Sequence, residues 1–425
     1  MVPIGAILVE KIFVEIIHSL ETRYSLQVIE FGVEEGKVIA TTVITFSLSF
    51  IVFTFSSLLV AVQVASGQYT PRIIATTLLR DNVIRFTVGL FVFSLLFAIR
   101  TLNHIEAVVP QLSVFLTALF GVACLVAFLF LIDYAARLLR PVSLVRRVGE
   151  GGLQVIDDVY PEMLTVSRPN TEMEQPPDPV RRTVLHQSDS VIILAVNVQR
   201  LLTEAARTKG VIEFAPQVGD FIGRDEPLFF LRGDAAAVSD ETLRGTVIFG
   251  SERTLEQDPL FAPRILVDIA LKALSAAIND PTTAVLAIDQ LHRLLRRAGR
   301  RDLRADDIYD SDRNLRVIFR TPNWTDFVQL AFTEIRFCGA SSIQIARRLR
   351  AMLVNLTNTL PTERHAALQR EADLLDRTLE KLYALPEDLA LARIPDPQGL
   401  GGSSHTETAK WGHENSDAAA TVLKT

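Results

Sequence analysis

Six polar residues interrupt an apolar run near the start of the 425-residue chain: Thr42, Thr45, Ser49, Ser56, Gln63 and Ser66. At 3.6 residues per turn they share one helix face at near-heptad spacing, and the other faces carry Ile, Val, Leu and Phe. Lipid offers hydroxyl and amide groups no hydrogen-bond partner, so a polar stripe in a bilayer faces protein or water. Two readings follow. Several copies of the chain bring the stripe together around a water-lined conduit, or the small hydroxyl residues let helices pack closely and bond to carbonyls one turn back. Packing is the commoner use of Ser and Thr. Gln63 is the hardest to assign to it, because a full amide needs several partners.

The run ends in a second polar cluster, Gln68, Tyr69, Thr70, Pro71 and Arg72, where Gly67 and Pro71 predict a helix break. A third group lies in DIALKALSAAINDPTTAV and comprises Asp268, Ser275, Asn279, Asp280 and Thr282. Asn279 or Asp280 is placed to cap a helix whose first residue is Pro281. The sharper alternative is a ligand site at the helix junction, where free N–H groups favour an anion and carboxylates favour a cation. These two stretches resemble signatures of the bacterial membrane proteins grouped as the domain of unknown function 2254 family. The resemblance extends from about residue 38 to residue 390. It implies the bacterial plasma (inner) membrane as location and supplies no reaction.

The elements that must carry these residues begin with the spans. A membrane helix needs about 20 apolar residues, and no charge occurs from Val38 to Pro71 or from Ala107 to Ile132. A weaker span, Val83 to Leu102, has a charge-free core from Phe86 to Ile99. Arg72, Arg80 and Arg85 fill the first connection, and Arg137, Arg140, Arg146 and Arg147 follow the third span. By the positive-inside tendency these segments lie in the cytoplasm, with the N-terminus and second connection outside. MVPIGAILVEKIFVEIIHSL carries Glu10, Lys11 and Glu15, which favours an interfacial helix over a cleaved signal peptide.

Beyond the spans, VIILAVNV predicts a strand, VQRLLTEAARTKG a helix, and VIEFAPQVGDFIGRDEPLFFLRG two strands around a turn. From Asp258 helical periodicity dominates, apart from a strand at NLRVIFRTP. Three helices close the pattern, and the run Arg347, Arg348 and Arg350 reads as solvated or near anionic lipid. The expected fold class is an α-helical membrane domain plus an α+β cytoplasmic region, with a β-rich sandwich-like module followed by a helical domain. The expected boundaries are an amphipathic or interfacial segment 1–37, a transmembrane domain 38–140 (helices about 38–66, 83–102 and 109–136), and a juxtamembrane segment and linker 141–187. A β-rich module 188–252, a helical domain 253–395 and a disordered tail 396–425 follow.

A mean hydropathy of +0.27 is unusually apolar for a soluble chain. The net charge of -6 and the lack of a basic, aromatic-interleaved arm argue against a nucleic-acid partner. The 2 cysteines, Cys124 and Cys338, and the 7 scattered histidines form no metal motif, and no cofactor is implied. No GxSxG, HExxH, Walker A or GxGxxG motif is present. The expected partners are the lipid bilayer and further copies of the chain; any soluble ligand is unidentified. Three readings are carried forward: an oligomeric channel or transport-like protein, a membrane-anchored regulator or scaffold binding a partner or small ligand, and, least supported, a lipid-directed enzyme.

Overall fold

The computed structural model describes residues 31–68, 82–105, 109–138, 140–164, 179–303 and 307–402. The chain divides into two units, Met1–Leu144 and Val145–Thr425.

The first unit holds three long apolar helices: α1 (Val33–Gln68), α2 (Asn82–His104) and α3 (Gln111–Leu138). All three are long and apolar enough to cross a membrane. They outrun their charge-free cores because helix hydrogen bonding continues through charged ends. Glu34 and Glu35 sit in the first turn of α1, where they suit the helix dipole, and Asp133 pairs with Arg137 at 2.6 Å near the end of α3. Gln111 clasps Phe31, two residues before α1, accepting from its N–H at 2.7 Å and donating to its carbonyl at 3.0 Å. The starts of α1 and α3 therefore lie together, and α2 runs back between them.

Phenylalanine fills the bundle. Phe50 stacks on Phe128 with ring centroids 4.2 Å apart and meets Phe91 at 5.6 Å. Gly121 lets α3 approach α1, since a Cβ there would stand 2.6 Å from Val43 Cγ2. Polar groups also bridge helices: the Cys124 thiol donates to Ser94 Oγ at 3.1 Å, and Thr117 Oγ1 donates to Thr101 Oγ1 at 3.2 Å.

The helix α4 (Pro141–Val159) follows. The second unit then has β1 (Val180–Leu185), β2 (Val191–Val196), α5 (Val198–Thr208), β3 (Val211–Phe214), β4 (Phe221–Ile222), β5 (Pro227–Arg232), α6 (Asp240–Arg244) and β6 (Val247–Gly250). It continues with α7 (Phe261–Ala273), α8 (Pro281–Ala298), β7 (Asp307–Tyr309), β8 (Leu315–Phe319), α9 (Trp324–Gly339), α10 (Ile343–Thr359), α11 (His365–Leu382) and α12 (Pro386–Arg393). One sheet has the order β1-β5-β3-β8-β7, and a second has β4-β2-β6. Alternating apolar residues of both, among them Ile193, Ile212, Phe214, Phe229, Leu231 and Val317, form a shared core.

Three departures from the expected layout have physical causes. The expected turn between two strands carries β4, whose Phe221 and Ile222 pair with Ile192 and Val191 in the second sheet. The β-rich region is not continuous in sequence. It begins with β1, inside the expected linker, and gains β8, which lies parallel to β3 with Ile212 opposite Val317, after two helices intervene. Lastly, Asp396 to Gly401 form a fixed turn where a disordered tail is expected to start. The Asp396 carboxylate accepts from the N–H groups of Gln398, Gly399 and Gly401 at 3.1, 3.0 and 2.7 Å.

Candidate functional site

The polar stripe of α1 faces away from the other two helices. Thr45, Ser49, Ser56 and Gln63 are exposed in the bundle. Thr45 Oγ1 donates to the Thr41 carbonyl at 2.9 Å and Ser49 Oγ to the Thr45 carbonyl at 2.7 Å, so both hydroxyls are satisfied within their own helix. The inward polar residues are Ser47 and Thr54, seven apart and almost wholly buried. Neither belongs to the polar stripe, and their own heptad spacing, on the opposite face, is the signal that marks them in the sequence. Ser66 and Gln68 belong to the last turns of α1. Tyr69, Pro71 and Arg72, the rest of the expected cytoplasmic-mouth motif, lie outside the described residues.

The Asp268 to Thr282 group is divided by its local bonds. Asp268, on α7, accepts from Arg264 Nε at 2.8 Å, and Arg264 also donates to Glu334 on α9 at 3.1 Å. That bond holds the Glu334 carboxyl below its ordinary value. Ser275 Oγ donates to the Lys272 carbonyl at 2.7 Å. Asn279 adopts a left-handed backbone, φ 48°, at the break between α7 and α8. Asp280 caps α8, accepting from the Thr283 N–H at 3.1 Å and its hydroxyl at 2.5 Å, with Pro281 at the first turn. Such a cap contributes about 1 kcal/mol. Thr282 is exposed. Four of the five residues thus serve an ion pair, a turn and a cap.

In the arginine run on α10, Arg347 and Arg348 are buried and Arg350 is half-buried, rather than solvated. Arg347 is fully buried and donates to the carbonyls of Ile394 at 3.1 Å and Gly401 at 2.9 Å. Arg348 donates to Asp289 at 2.7 Å, and Arg350 pairs with Asp376. Periodicity marks this face as polar. It gives no sign that α12 and the Asp396 turn cover it. Beside Arg348, burial pushes the His292 imidazole down to about 4. Its neutral ring fits its partners: Nε2 donates to Asn355 Oδ1 at 2.8 Å, leaving Nδ1 to accept from Arg348 at 3.3 Å.

A cleft of about 950 Å³ lies in the second unit. The end of α4 supplies Asp158 and Pro161, the start of α5 supplies Asn197 and Gln199, and the start of β6 supplies Thr246 and Ile248. Glu256, Gln257 and Pro259 form another wall, and Ile308, Phe319, Arg320 and Thr321 close it from β7 and β8. Its walls are locked by bonds among themselves. Asn197 caps α5 by accepting from the Arg200 N–H at 3.0 Å, and Gln257 Oε1 accepts from the Val196 N–H at 2.9 Å. Next to Gln257, the buried Asp258 accepts from the Leu260 N–H at 3.0 Å and has Arg253 3.6 Å from its other oxygen. Burial outweighs that arginine and pushes the Asp258 carboxyl up to about 6. Among the described residues, no group of three His, Cys, Asp or Glu side chains is placed to hold a metal ion.

The family model described as "Predicted membrane protein (DUF2254)" matches residues 1–355. The chain belongs to this family. The match begins at the first residue and ends within α10, so it starts earlier and stops sooner than the two motifs alone suggest. Uncharacterized proteins of Mycobacterium bovis and of two strains of Mycobacterium tuberculosis are each 26% identical to this DUF2254 member over 351 residues, 79% of this chain and 67% of theirs. No solved structure matches the chain.

In this DUF2254 chain the cleft residues come from segments scattered between Asp158 and Pro322. Sequence spacing holds no signal for such a site, because its walls come from the ends of α4 and β8 and the starts of α5 and β6, far apart in the chain.

Proposed function

We propose that this protein is a membrane-anchored ligand-binding protein: the three helices fix it in the bilayer, and the cleft of the second unit takes a small polar molecule. The observation that carries the reading is the cleft, about 950 Å³ in volume, where Gln199, Thr246, Glu256 and Arg320 converge beside Ile308 and Phe319. That size and mix of apolar wall and few polar groups is typical of small-molecule sites. The arginine-rich first connection and post-span segment support a cytoplasmic position for this unit in a multi-pass inner-membrane protein. The test is thermal unfolding of the full-length protein in detergent against a panel of nucleotides, sugar phosphates and amino acids. Gln199→Trp fills the cleft from an exposed position. A ligand that raises the wild-type midpoint and leaves the Gln199→Trp midpoint unchanged supports the reading, and equal responses of both proteins reject it.

A second reading, an oligomeric channel or transport-like protein, is favoured by the outward exposure of Thr45, Ser49, Ser56 and Gln63. Length argues against its most demanding residue. From Lys37 to Gln63 an α-helix rises about 39 Å, and the hydrocarbon core is about 30 Å thick. With Lys37 at one surface, Gln63 stands among the headgroups at the other. A strictly monomeric protein in detergent removes this reading, since the three-helix interior is packed with Phe50, Phe91 and Phe128.

A further inference from the structure

Three arginines of α8, Arg293, Arg296 and Arg297, and Arg300 in the turn just after it fall at i, i+3, i+4 and i+7 and so lie along one side. The opposite face, Leu291, Leu294, Leu295 and Ala298, is buried in the core of the helical region. The arginine face borders a cleft of about 400 Å³ whose other walls are Leu153 of α4 and Met163. It shares no lining residue with the larger cleft.

Counter-charge at this face is scarce. Asp157 lies 3.3 Å from Arg297 and 2.5 Å from Arg301, so a single carboxylate serves two guanidinium groups. Arg293 donates to a neutral partner, Gln290 Oε1, at 2.6 Å, and the carboxylate that feels its charge, the exposed Glu150 of α4, stands beyond ion-pair distance. Among the described residues, Arg296 and Arg300 have no carboxylate within ion-pair distance. Like charges three and four apart on a helix repel by a few tenths of a kcal/mol each. The helix dipole offsets this for Arg296 and Arg297 in the last turn and offers nothing to Arg293, a turn further back.

We propose that this cleft is an anion site that takes a phosphate-bearing group, with Arg296 and Arg300 as its principal donors. The planar guanidinium fork matches phosphate oxygens in pairs, and several forks on one concave face suit a dianion better than a single carboxylate. Leu153 and Met163 give an apolar wall for whatever the phosphate is attached to. That attachment is either a soluble phosphate ester or a phospholipid headgroup, because α4 follows the third apolar helix directly in the chain.

The test is isothermal titration of full-length protein in detergent at constant ionic strength with two probes, inorganic pyrophosphate and dihexanoyl phosphatidic acid. Saturable binding weakened roughly tenfold or more in R296Q/R300Q is the expected result. R296K/R300K, which keeps the charge and loses the fork, falls between. Exposed Arg224 supplies the control: R224Q binds as wild type. Response to pyrophosphate assigns a soluble ester, and response to phosphatidic acid alone assigns a lipid headgroup. Neither probe saturating, or R296Q/R300Q binding as wild type, overturns the proposal. Gln199→Trp leaves this binding intact, so failure here is distinct from failure of the larger cleft.

Discussion

The three-helix unit and the unit that follows it handle polar groups in opposite ways. In the first, Thr45, Ser49, Thr54 and Thr101 each donate to a carbonyl four residues back, and few polar bonds join one helix to another. In the second, buried charge is met by partners far away in sequence: Arg348 by Asp289, Arg350 by Asp376, and Arg347 by the backbone of Ile394 and Gly401. A helix surrounded by lipid must satisfy itself, whereas a folded soluble unit can gather donors and acceptors from distant segments. Function that needs converging polar groups is therefore expected in the second unit.

The largest effect that would sharpen this contrast is at Arg347. Arg347→Ala leaves the Ile394 and Gly401 carbonyls without their donor and opens a cavity, and is expected to cost about 3 to 5 kcal/mol. Denaturant unfolding followed by Trp324 fluorescence measures it; a loss near zero would break the contrast.

Next is pH. Asp258 has its folded-state value raised to about 6 from 3.8, so the folded protein holds this proton more tightly than the unfolded chain. Its contribution is complete below about pH 4 and is lost as pH rises through about 6. His292, lowered to about 4, acts in the other sense: its contribution is present above about pH 6.5 and is lost as pH falls toward 4. Asp258→Asn is expected to flatten its share of the profile, worth about 2 to 3 kcal/mol, as read from unfolding midpoints between pH 4 and pH 7. An unchanged slope contradicts the burial argument.

Within the membrane unit the expected effects are smaller. Gly121→Leu forces α3 from Val43 and is expected to cost about 1 to 3 kcal/mol, with Val43→Ala recovering part of it. Midpoint measurements on the single and double variants check this. Smallest of all, Thr45→Ala and Ser49→Ala remove exposed hydroxyls bonded to their own helix and are expected to shift stability by less than about 0.5 kcal/mol. A larger shift in either would mean that the stripe is covered by another chain.

The same contrast explains what could be read from sequence. The apolar helices were legible because a bilayer imposes a length and a charge rule on a single continuous segment, which the runs around Phe50 and Cys124 obey. The Asp280 cap and Pro281 were legible because capping is local. The pairing of β3 with β8 was not, since Val317 comes 105 positions after its partner Ile212 and no local pattern encodes a parallel neighbour. Arg347 was misread for a related reason: periodicity identifies a face, and only the fold shows that α12 and the Asp396 turn lie over it. The cleft around Gln199 and Arg320 inherits that invisibility, because its walls come from segments far apart in the chain.

The central claim, that the bundle anchors and the second unit binds, is tested most directly by conductance. Full-length protein is reconstituted in liposomes, and ion flux is recorded at both polarities and across pH 5 to 8. The account predicts no flux above that of empty liposomes for the wild type. A sustained flux that Gln63→Leu abolishes would contradict it and move the function to the polar stripe of α1.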